Sequence, residues 1–267
     1  MWLLRRSSRP RLLFHELIPA VCLLPTASYF MSAIQTDFDR IALLSADDGW
    51  TQNNHYHNFL LRSLPAKCAS ALEIGCGTGA FSRRLAQHAQ NVLALDLSPE
   101  MIRIARQRST QFLNIEFQIA DVMSWNFPPE TFDCIASLAT LHHLPLRETL
   151  LQMRDALKIG GVLLVLDLFA RERNVFKPEG LFDSVLNAVA IPTSVSLRFL
   201  HHGRLLPPRE VRAAWAAHEQ HDTYPTINEV RALCAEILPG AKVKKHLLWR
   251  YSIVWQKPDR EEGLRIW

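Results

Sequence analysis

Between residues 71 and 169, short apolar runs alternate with amphipathic segments. The runs have the length of strands, and they read ALEIG, VLALD, IEFQIA, FDCIASLA and GGVLLVLDLF. In the segments between them, apolar residues recur at helical spacing, as at Phe81, Leu85 and Ala89. Near-continuous apolar strands that alternate with helices indicate a parallel sheet covered on both faces. Right-handed crossovers then make the predicted α/β sheet doubly wound.

The rest of the chain breaks this rhythm. Residues 170–226 contain five prolines and no strong strand pattern, and they include plausible helices over Glu179–Ala190 and Pro208–Ala217. We therefore predict a helical cap or insertion at 170–226, after the fifth strand. Beyond it, Thr226 opens a helix, and the runs AKVKKHLL and WRYSIVWQK predict an antiparallel hairpin. The prediction is a seven-stranded sheet, mostly parallel, with an antiparallel C-terminal hairpin.

The first thirty residues differ in composition from residues 31–267. They are rich in arginine, poor in acidic residues and apolar from Leu17 to Leu24, a pattern typical of a signal or transit peptide. Pro19 and Pro25 interrupt the stretch, so we expect no stable membrane span there. Three alternatives remain: a disordered or spurious extension before a start at Met31, a targeting peptide, or a membrane-contacting helix. We divide the chain into this extension, 1–30, and a single domain, 31–267.

Charge and cysteine content exclude some partners. The net charge is +4, but the arginines are scattered rather than clustered, so no nucleic-acid partner is expected. The five cysteines contain no C-x-x-C pair, which favours reduced thiols in a cytoplasmic protein. No spacing typical of a zinc site occurs in the sequence. We also assign no carboxylate or cysteine companion to His201, His202, His218 and His221. We therefore predict no metal.

The stretch ALEIGCGTGAF carries glycine at alternate positions, Gly75, Gly77 and Gly79. Glycine tolerates positive φ and lets a ligand approach the main chain. Between a strand and a helix, such a loop directs free N–H groups at a ligand. Asp96 ends the next strand, about 20 residues on, where a carboxylate can hold a ribose diol. Asp121 follows the third strand, so all these features face one crevice.

These segments resemble a known family. LEIGCGTGAFSRRLA, LALDLSPEMIRIAR, IEFQIADVMSW, FDCIASLATLHHL and LKIGGVLLVLDLF are similar, in order, to the motifs of class I S-adenosylmethionine-dependent methyltransferases. The resemblance covers about residues 70–170, and RYSIVWQKP is similar to the final hairpin strand of the family. It implies a Rossmann-like fold, S-adenosyl-L-methionine as cofactor and methyl transfer as the activity.

The resemblance also implies roles for individual residues. Glu73 and the loop Gly75–Gly79, including Cys76, would line the amino-acid portion of the cofactor. Asp96 would hold the ribose, and the remaining cofactor contacts would be Leu97 and Met101 beside the adenine, Asp121 and Val122 at its amino group, and Ala139 near the sulfonium. Structural alternatives stay open: Glu73 as a brace of the loop, Leu97 and Met101 as core residues, and Asp121 as a turn or helix cap.

Methyl transfer is an in-line displacement that depends mainly on alignment of the two reacting atoms. A general base is needed only for some acceptors. His142 and His143 follow the fourth strand, and they are the candidate catalytic residues because the pKa of histidine lies near neutrality. Upstream, Tyr56 and His57 lie in GWTQNNHYHNFLLRSL, where they either cover the site as a lid or pack at the N-terminus.

We therefore predict a methyltransferase with a small-molecule acceptor. Two alternatives remain. The first is an NAD(P)-dependent oxidoreductase, which the G-x-G-x-G spacing disfavours because dinucleotide enzymes carry G-x-G-x-x-G. The second is a non-catalytic scaffold with the same fold. The acceptor and the oligomeric state do not follow from the sequence.

Overall fold

The protein is described by a computed structural model covering residues 27–44, 49–172, 176, 178–220 and 222–259. Its centre is a seven-stranded sheet in the order β3-β2-β1-β4-β5-β7-β6. The strands are β1 (Ser70–Ile74), β2 (Asn91–Asp96), β3 (Ile115–Ile119), β4 (Phe132–Leu138), β5 (Leu157–Leu168), β6 (Lys242–Lys245) and β7 (Arg250–Gln256). The first five run parallel, and β7 lies antiparallel to both β5 and β6. The predicted fold class is confirmed, with the last strand inserted beside β5.

Helices cover both faces of the sheet. Successive residues of its central strands point to opposite faces, so each strand contributes apolar side chains to both layers. On one face, Leu72, Ile135 and Leu163 belong to a core shared with the helices α5 (Leu146–Ala156) and α8 (Ile227–Ile237). On the other face, the neighbouring residues Ala71 and Leu164 pack with α2 (His57–Leu61) and α3 (Ala80–Leu85). This two-sided burial explains why the strands read as almost uninterrupted apolar runs.

Four further helices complete the described fold: α1 (Ala27–Leu44), α4 (Pro99–Arg108), α6 (Pro178–His202) and α7 (Arg209–His218). The helix α6 continues through Pro192 well beyond the predicted end at Ala190, whereas α7 differs from its prediction by one residue at each end. The helix α1 crosses the boundary proposed at residue 30, and residues 1–26 lie outside the described part. The single domain and its cap remain a proposal.

The helix α6 exposes much of its apolar surface. Its exposed members are Leu181, Phe182, Val185, Val189, Ile191, Phe199 and Leu200. Among the described helices, the segment Gly180–His202 is the one whose length and composition would suffice for crossing a membrane. Length and composition alone are weak evidence for a span. Buried Asp183 is paired with Lys245 of β6, and this pair fixes the helix to the edge of the sheet.

Candidate functional site

The glycine-rich loop connects β1 to α3 at the carboxyl edge of the sheet. Gly75, Gly77 and Gly79 have φ angles of +71°, +52° and +76°, in the left-handed region that favours glycine. A Cβ at Gly75 would lie 2.0 Å from Oγ1 of Thr140, so the protein itself fills that space. A Cβ at Gly77 would meet nothing within 4 Å. The backbone of Gly77 is therefore the part of the loop that a ligand can approach.

Asp96, at the end of β2, fixes this loop. Its two carboxylate oxygens accept hydrogen bonds from the backbone N–H groups of Gly77, at 2.7 Å, and Ser98, at 2.9 Å. Burial of the carboxylate raises the pKa of Asp96 to about 6, against the lowering effect of these hydrogen bonds. Each oxygen retains acceptor capacity for another donor. Asp96 thus braces the glycine loop, and its predicted contact with a ribose stays a prediction.

Glu73, the fourth residue of β1, is buried. Its carboxyl oxygen accepts a hydrogen bond from the hydroxyl of Ser82 in α3, at 2.5 Å. Burial is the main reason why the pKa of Glu73 rises to about 8, so the group is largely protonated at neutral pH. In this structure Glu73 joins β1 to α3 and so braces the glycine loop between them. Its contact with a cofactor stays a prediction.

The side chain of Cys76 also faces away from the loop surface. It is buried beside Ala94, Ile102 and Phe117, in a small cluster beneath the loop. Its backbone N–H donates to the carbonyl of Leu95 at 2.9 Å. Cys76 contributes to the loop through its main chain and to the core through its thiol.

The predicted adenine residues have structural partners of their own. Met101 is buried against Ile41 and Ala42 of α1 and Ala214 of α7. Leu97 is partly buried at the start of the turn that leads to α4. Met101 therefore packs as a core residue in this structure. Contact of Met101 or Leu97 with a cofactor stays a prediction.

Asp121, Val122 and Ala139 lie in the loops that follow β3 and β4. The carboxylate of Asp121 accepts a hydrogen bond from the N–H of Met123 at 2.9 Å and closes a turn, while Val122 is buried in the main core. Ala139 has a φ of +53°, unusual for a residue with a side chain. Its N–H donates to Leu166 at 2.7 Å, so β5 holds this strained turn in place.

His142 lies in the 3₁₀ turn that follows β4, and buried Asp167 of β5 fixes its ring. Ring atom Nδ1 of His142 is 2.6 Å from Oδ1 of Asp167, and the backbone N–H of His142 donates to Oδ2 at 3.0 Å. Because a carboxylate accepts at Nδ1, the proton of a neutral ring resides there, and Nε2, which is 3.9 Å from Oδ2 of Asp222, is left as the acceptor.

His143 faces a second carboxylate, Asp222, which follows α7. Its Nδ1 is 3.3 Å from Oδ1 of Asp222, and Tyr224 donates its hydroxyl to Oδ2 of the same carboxylate at 2.8 Å. Burial, and next the charge of His142, lower the pKa of His143 to about 4. His143 is therefore neutral at physiological pH and a weaker base than an ordinary histidine.

Beside His142 is a cavity of about 270 Å³. Its walls are mostly apolar or aromatic, and they comprise Leu141, His142, Leu144, Leu146, Thr223, Tyr224, Pro225 and Tyr251. Residues 223–225 lie at the end of the predicted insertion, 170–226, whereas the other residues belong to the sheet, the turn after β4 and the start of α5. The cavity thus combines one polar ring edge with a surface suited to a small ligand.

The predicted lid residues pack within the protein. Tyr56 donates its hydroxyl to the carbonyl of Leu247 at 2.6 Å, and burial raises its pKa to about 12. The ring of His57 packs on Phe81 with centroids 4.9 Å apart, and burial lowers its pKa to about 4. His57 also lines a cavity of about 510 Å³ along α3, together with Arg83. Tyr56 and His57 therefore both pack against other parts of the protein in this structure. Their contact with a ligand stays a prediction.

Three residues of the site were not identified from the sequence: Asp167, Asp222 and Tyr224. Asp167 had a visible signal, since it is a carboxylate inside the apolar run VLLVLDLF, at the end of a predicted buried strand. Asp222 and Tyr224 had none, because they lie in an irregular segment whose position depends on how the insertion folds.

Comparison with known proteins is consistent with this geometry. Residues 71–161 match the family model of a methyltransferase domain. An uncharacterised methyltransferase of Mycobacterium tuberculosis is 28% identical over 217 residues, covering 79% of this chain and 99% of the relative. A malonyl-[acyl-carrier protein] O-methyltransferase of Paenibacillus is 36% identical over 154 residues, covering 49% of this chain and 53% of the relative.

Among solved structures, the N-methyltransferase NodS of Bradyrhizobium japonicum, in complex with S-adenosyl-L-homocysteine, has a similar fold. The TM-score is 0.53 at 18% identity, with 84% of this chain and 99% of that chain covered. The sheet order, the glycine loop, the match over residues 71–161 and the full-length relative agree, and together they support a class I S-adenosylmethionine-dependent methyltransferase domain in this chain.

Proposed function

We propose that the protein methylates a small-molecule acceptor that binds in the cavity beside His142. The observation that carries this proposal is the position of His142, which is held by Asp167 and forms part of the cavity wall beyond β4. The glycine loop follows the neighbouring strand β1 at the same carboxyl edge of the sheet. A cofactor and an acceptor bound at these two places would meet above the ends of β1 and β4.

The residues of the loop fit S-adenosylmethionine. When bound, this cofactor supplies an electrophilic methyl group on a sulfonium. On the protein side, Gly77 offers a main chain with no atom within 4 Å of the position of a Cβ. Asp96 fixes the N–H of Gly77 and presents carboxylate oxygens that can accept hydrogen bonds from a ribose. These two residues would orient the cofactor, and alignment is the main requirement of methyl transfer.

The cavity favours a small acceptor. Its volume of about 270 Å³ lies near the lower end of the range for ligand sites. Its apolar walls would exclude water from the reacting atoms, and Tyr224 and His142 would orient a polar group of the acceptor. The relatives are named as O- and N-methyltransferases, so their names leave the acceptor atom open.

His142 is the better of the two predicted bases. Asp167 holds its Nδ1, which leaves Nε2 free to accept a proton from an acceptor hydroxyl or acidic carbon. Asp167 would also stabilise the imidazolium that forms. His143, with its pKa lowered to about 4, lacks the basicity for this role.

Two measurements on the purified chain test the proposal. In calorimetry we expect S-adenosylhomocysteine to bind and NADH not to bind, whereas the reverse would favour the oxidoreductase alternative. Incubation of the chain and S-adenosylmethionine with small alcohols, phenols, amines and thiols should add the mass of one methyl group to one class. Cofactor binding with methylation confined to a protein or nucleic acid in a cell extract would contradict the small-molecule acceptor.

A further inference from the structure

We propose that His142, His143 and Asp222 bind a divalent transition-metal ion of the zinc type, with His218 as a fourth ligand. The inference goes beyond the proposed function, because metal binding requires neither cofactor nor acceptor. It also revises our prediction that the chain holds no metal.

The three first-named residues already lie at distances close to those of ligands. One donor atom from each lies within 4.8 Å of the others. Nδ1 of His143 is 3.3 Å from Oδ1 of Asp222, and Nε2 of His142 is 3.9 Å from Oδ2. Tetrahedral ligands about 2.0–2.1 Å from Zn²⁺ lie about 3.3–3.4 Å apart. Movements of about 0.7 Å or less per side chain would bring the donor atoms of His142, His143 and Asp222 to this spacing.

Two of the histidines are oriented as metal-binding histidines usually are. Nδ1 of His142 is held by Asp167 at 2.6 Å, and Nδ1 of His218 faces Asp37 of α1 at 3.3 Å. In both rings the other nitrogen, Nε2, faces Asp222, at 3.9 Å and 3.8 Å respectively. A carboxylate on the far nitrogen fixes the ring and raises its basicity as a ligand.

The burial of the cluster points to a bound group. The side chains of His218 and Asp222 are 3% and 4% exposed, and Nε2 of His218 has no hydrogen-bond partner within the described residues. A buried imidazole nitrogen without a partner is costly, and buried polar atoms are nearly always satisfied. A metal at this position would satisfy Nε2 of His218 and compensate the buried carboxylate of Asp222.

The site would join separate parts of the fold. His142 and His143 follow β4, while His218 ends α7 and Asp222 follows it. Asp37 and Asp167 reach the histidines from α1 and β5. A metal would therefore hold the predicted cap against the sheet. It would also occupy Nε2 of His142, the nitrogen that accepts a proton in the proposed function, so metal loading should slow the methylation of acceptors that need a base.

The test uses the full chain, stripped of metal with EDTA and free of cofactor. We expect calorimetry to show one Zn²⁺ per chain, and Co²⁺ to give the visible absorption of a tetrahedral nitrogen and oxygen site. Zn²⁺ should also raise the melting temperature. In Asp222→Asn and His218→Ala, Zn²⁺ affinity should fall by about 100-fold or more, beyond the loss typical of an outer hydrogen-bond partner. The control His88→Ala, at an exposed histidine, should bind as the unmodified chain does.

The outcomes decide between a metal site and a purely hydrogen-bonded cluster. Absence of saturable Zn²⁺ binding to the stripped chain would overturn the proposal, as would unchanged binding in a folded Asp222→Asn variant. Should that variant fail to fold, unchanged binding in folded His218→Ala overturns the four-ligand site. Binding of S-adenosylhomocysteine is measured separately on the same stripped chain, so failure of the metal proposal leaves the proposed function standing.

Discussion

Asp167 contacts both the backbone and the ring of His142, through the N–H at 3.0 Å and Nδ1 at 2.6 Å. The double contact fixes the ring orientation as well as the position of its proton. Because the carboxylate is only 1% exposed, water does not compete for these hydrogen bonds. The pair is thus a rigid feature of the carboxyl edge of the sheet.

The first prediction concerns this pair. Asp167→Asn replaces an acceptor-only group with an amide whose NH₂ can face Nδ1, which favours the tautomer that carries its proton on Nε2. For an acceptor that must lose a proton, kcat should fall by about 100-fold, the scale of general-base catalysis. Affinity for S-adenosylhomocysteine should stay within about twofold, since the glycine loop is unchanged.

Steady-state kinetics and calorimetry measure the two effects. Asp155→Asn, at an exposed carboxylate that pairs with Arg154, is the control and should leave both values unchanged. A kcat equal to that of the unmodified chain in folded Asp167→Asn would show that His142 does not act as the base.

The fold was predictable from the sequence because its signals are local. The strand-length apolar runs reflect burial on both faces, and each lies between segments of helical periodicity, so the order of elements could be inferred without contacts. The adjacency of β7 and β5 was not predicted, although the apolar run YSIVW of β7, in contrast to KVKK of β6, is typical of the more buried strand. The length of α6 was missed because Pro192 suggests a helix end, whereas packing tolerates it within the helix.

The site was predictable only where it is built from one segment. The loop Gly75–Gly79 lies within the motif, and its positive φ angles require glycine. Asp222 lies 79 residues beyond His143, and the two meet only through the fold of the intervening chain. The predicted roles of Tyr56 and His57 rested on helical stripes, which do not distinguish a lid from a packed helix.

The second prediction separates backbone strain from cofactor binding at the glycine loop. Gly77 and Gly160 have φ angles of +52° and +76°, and a Cβ at either would meet nothing within 4 Å. Valine at either position should therefore lower stability by a similar amount, about 1–2 kcal/mol. Only Gly77→Val should abolish binding of S-adenosylhomocysteine, because only there would a ligand approach the main chain.

Chemical denaturation and calorimetry on both variants test this expectation. Similar stability with lost binding in Gly77→Val alone is the expected result. Preserved affinity in a folded Gly77→Val variant would show that the cofactor does not approach this part of the loop.

The third prediction concerns the raised pKa of Asp96. This carboxylate is ionised above about pH 6 and protonated below it. Protonation removes acceptor capacity toward both the backbone and a ribose. Affinity for S-adenosylhomocysteine should therefore fall as the pH decreases from 7 to 5, approaching tenfold per pH unit below the pKa.

Calorimetry at several pH values measures this dependence. Asp96→Asn should bind more weakly at pH 7, and its affinity should vary little between pH 5 and 7. Asp155→Asn, at the exposed carboxylate that pairs with Arg154, is the control and should leave the pH dependence unchanged. If the affinity of the unmodified chain for S-adenosylhomocysteine is constant between pH 5 and 7, ionised Asp96 is not required for cofactor binding.

The fourth prediction concerns Glu73 and stability. Its pKa in the folded protein is about 8, above the ordinary value of 4.5, so folding favours its protonated form. The stabilising contribution is complete below pH 4.5 and is lost as the pH rises toward 8. Glu73→Gln mimics the neutral acid and can still accept a hydrogen bond from Ser82. The variant should gain stability over the unmodified chain as the pH rises from 5 to 8, by up to about 1.4 kcal/mol per pH unit.

Urea denaturation at each pH measures this difference. Glu116→Gln, at an exposed glutamate, is the control and should show no such trend. A difference between Glu73→Gln and the unmodified chain that does not grow with pH would indicate that Glu73 is ionised in the folded protein.

The fifth prediction tests whether Tyr56 packs or binds ligand. Tyr56→Phe removes the hydroxyl that donates to the carbonyl of Leu247 and leaves the ring in place. Loss of this hydrogen bond should lower the free energy of unfolding by about 1 kcal/mol, or more if the carbonyl is left without a partner. Affinity for S-adenosylhomocysteine and kcat should be unchanged, because the hydroxyl is directed at the segment between β6 and β7. A variant that keeps its stability but loses affinity or turnover would instead make Tyr56 part of the lid that the sequence suggested.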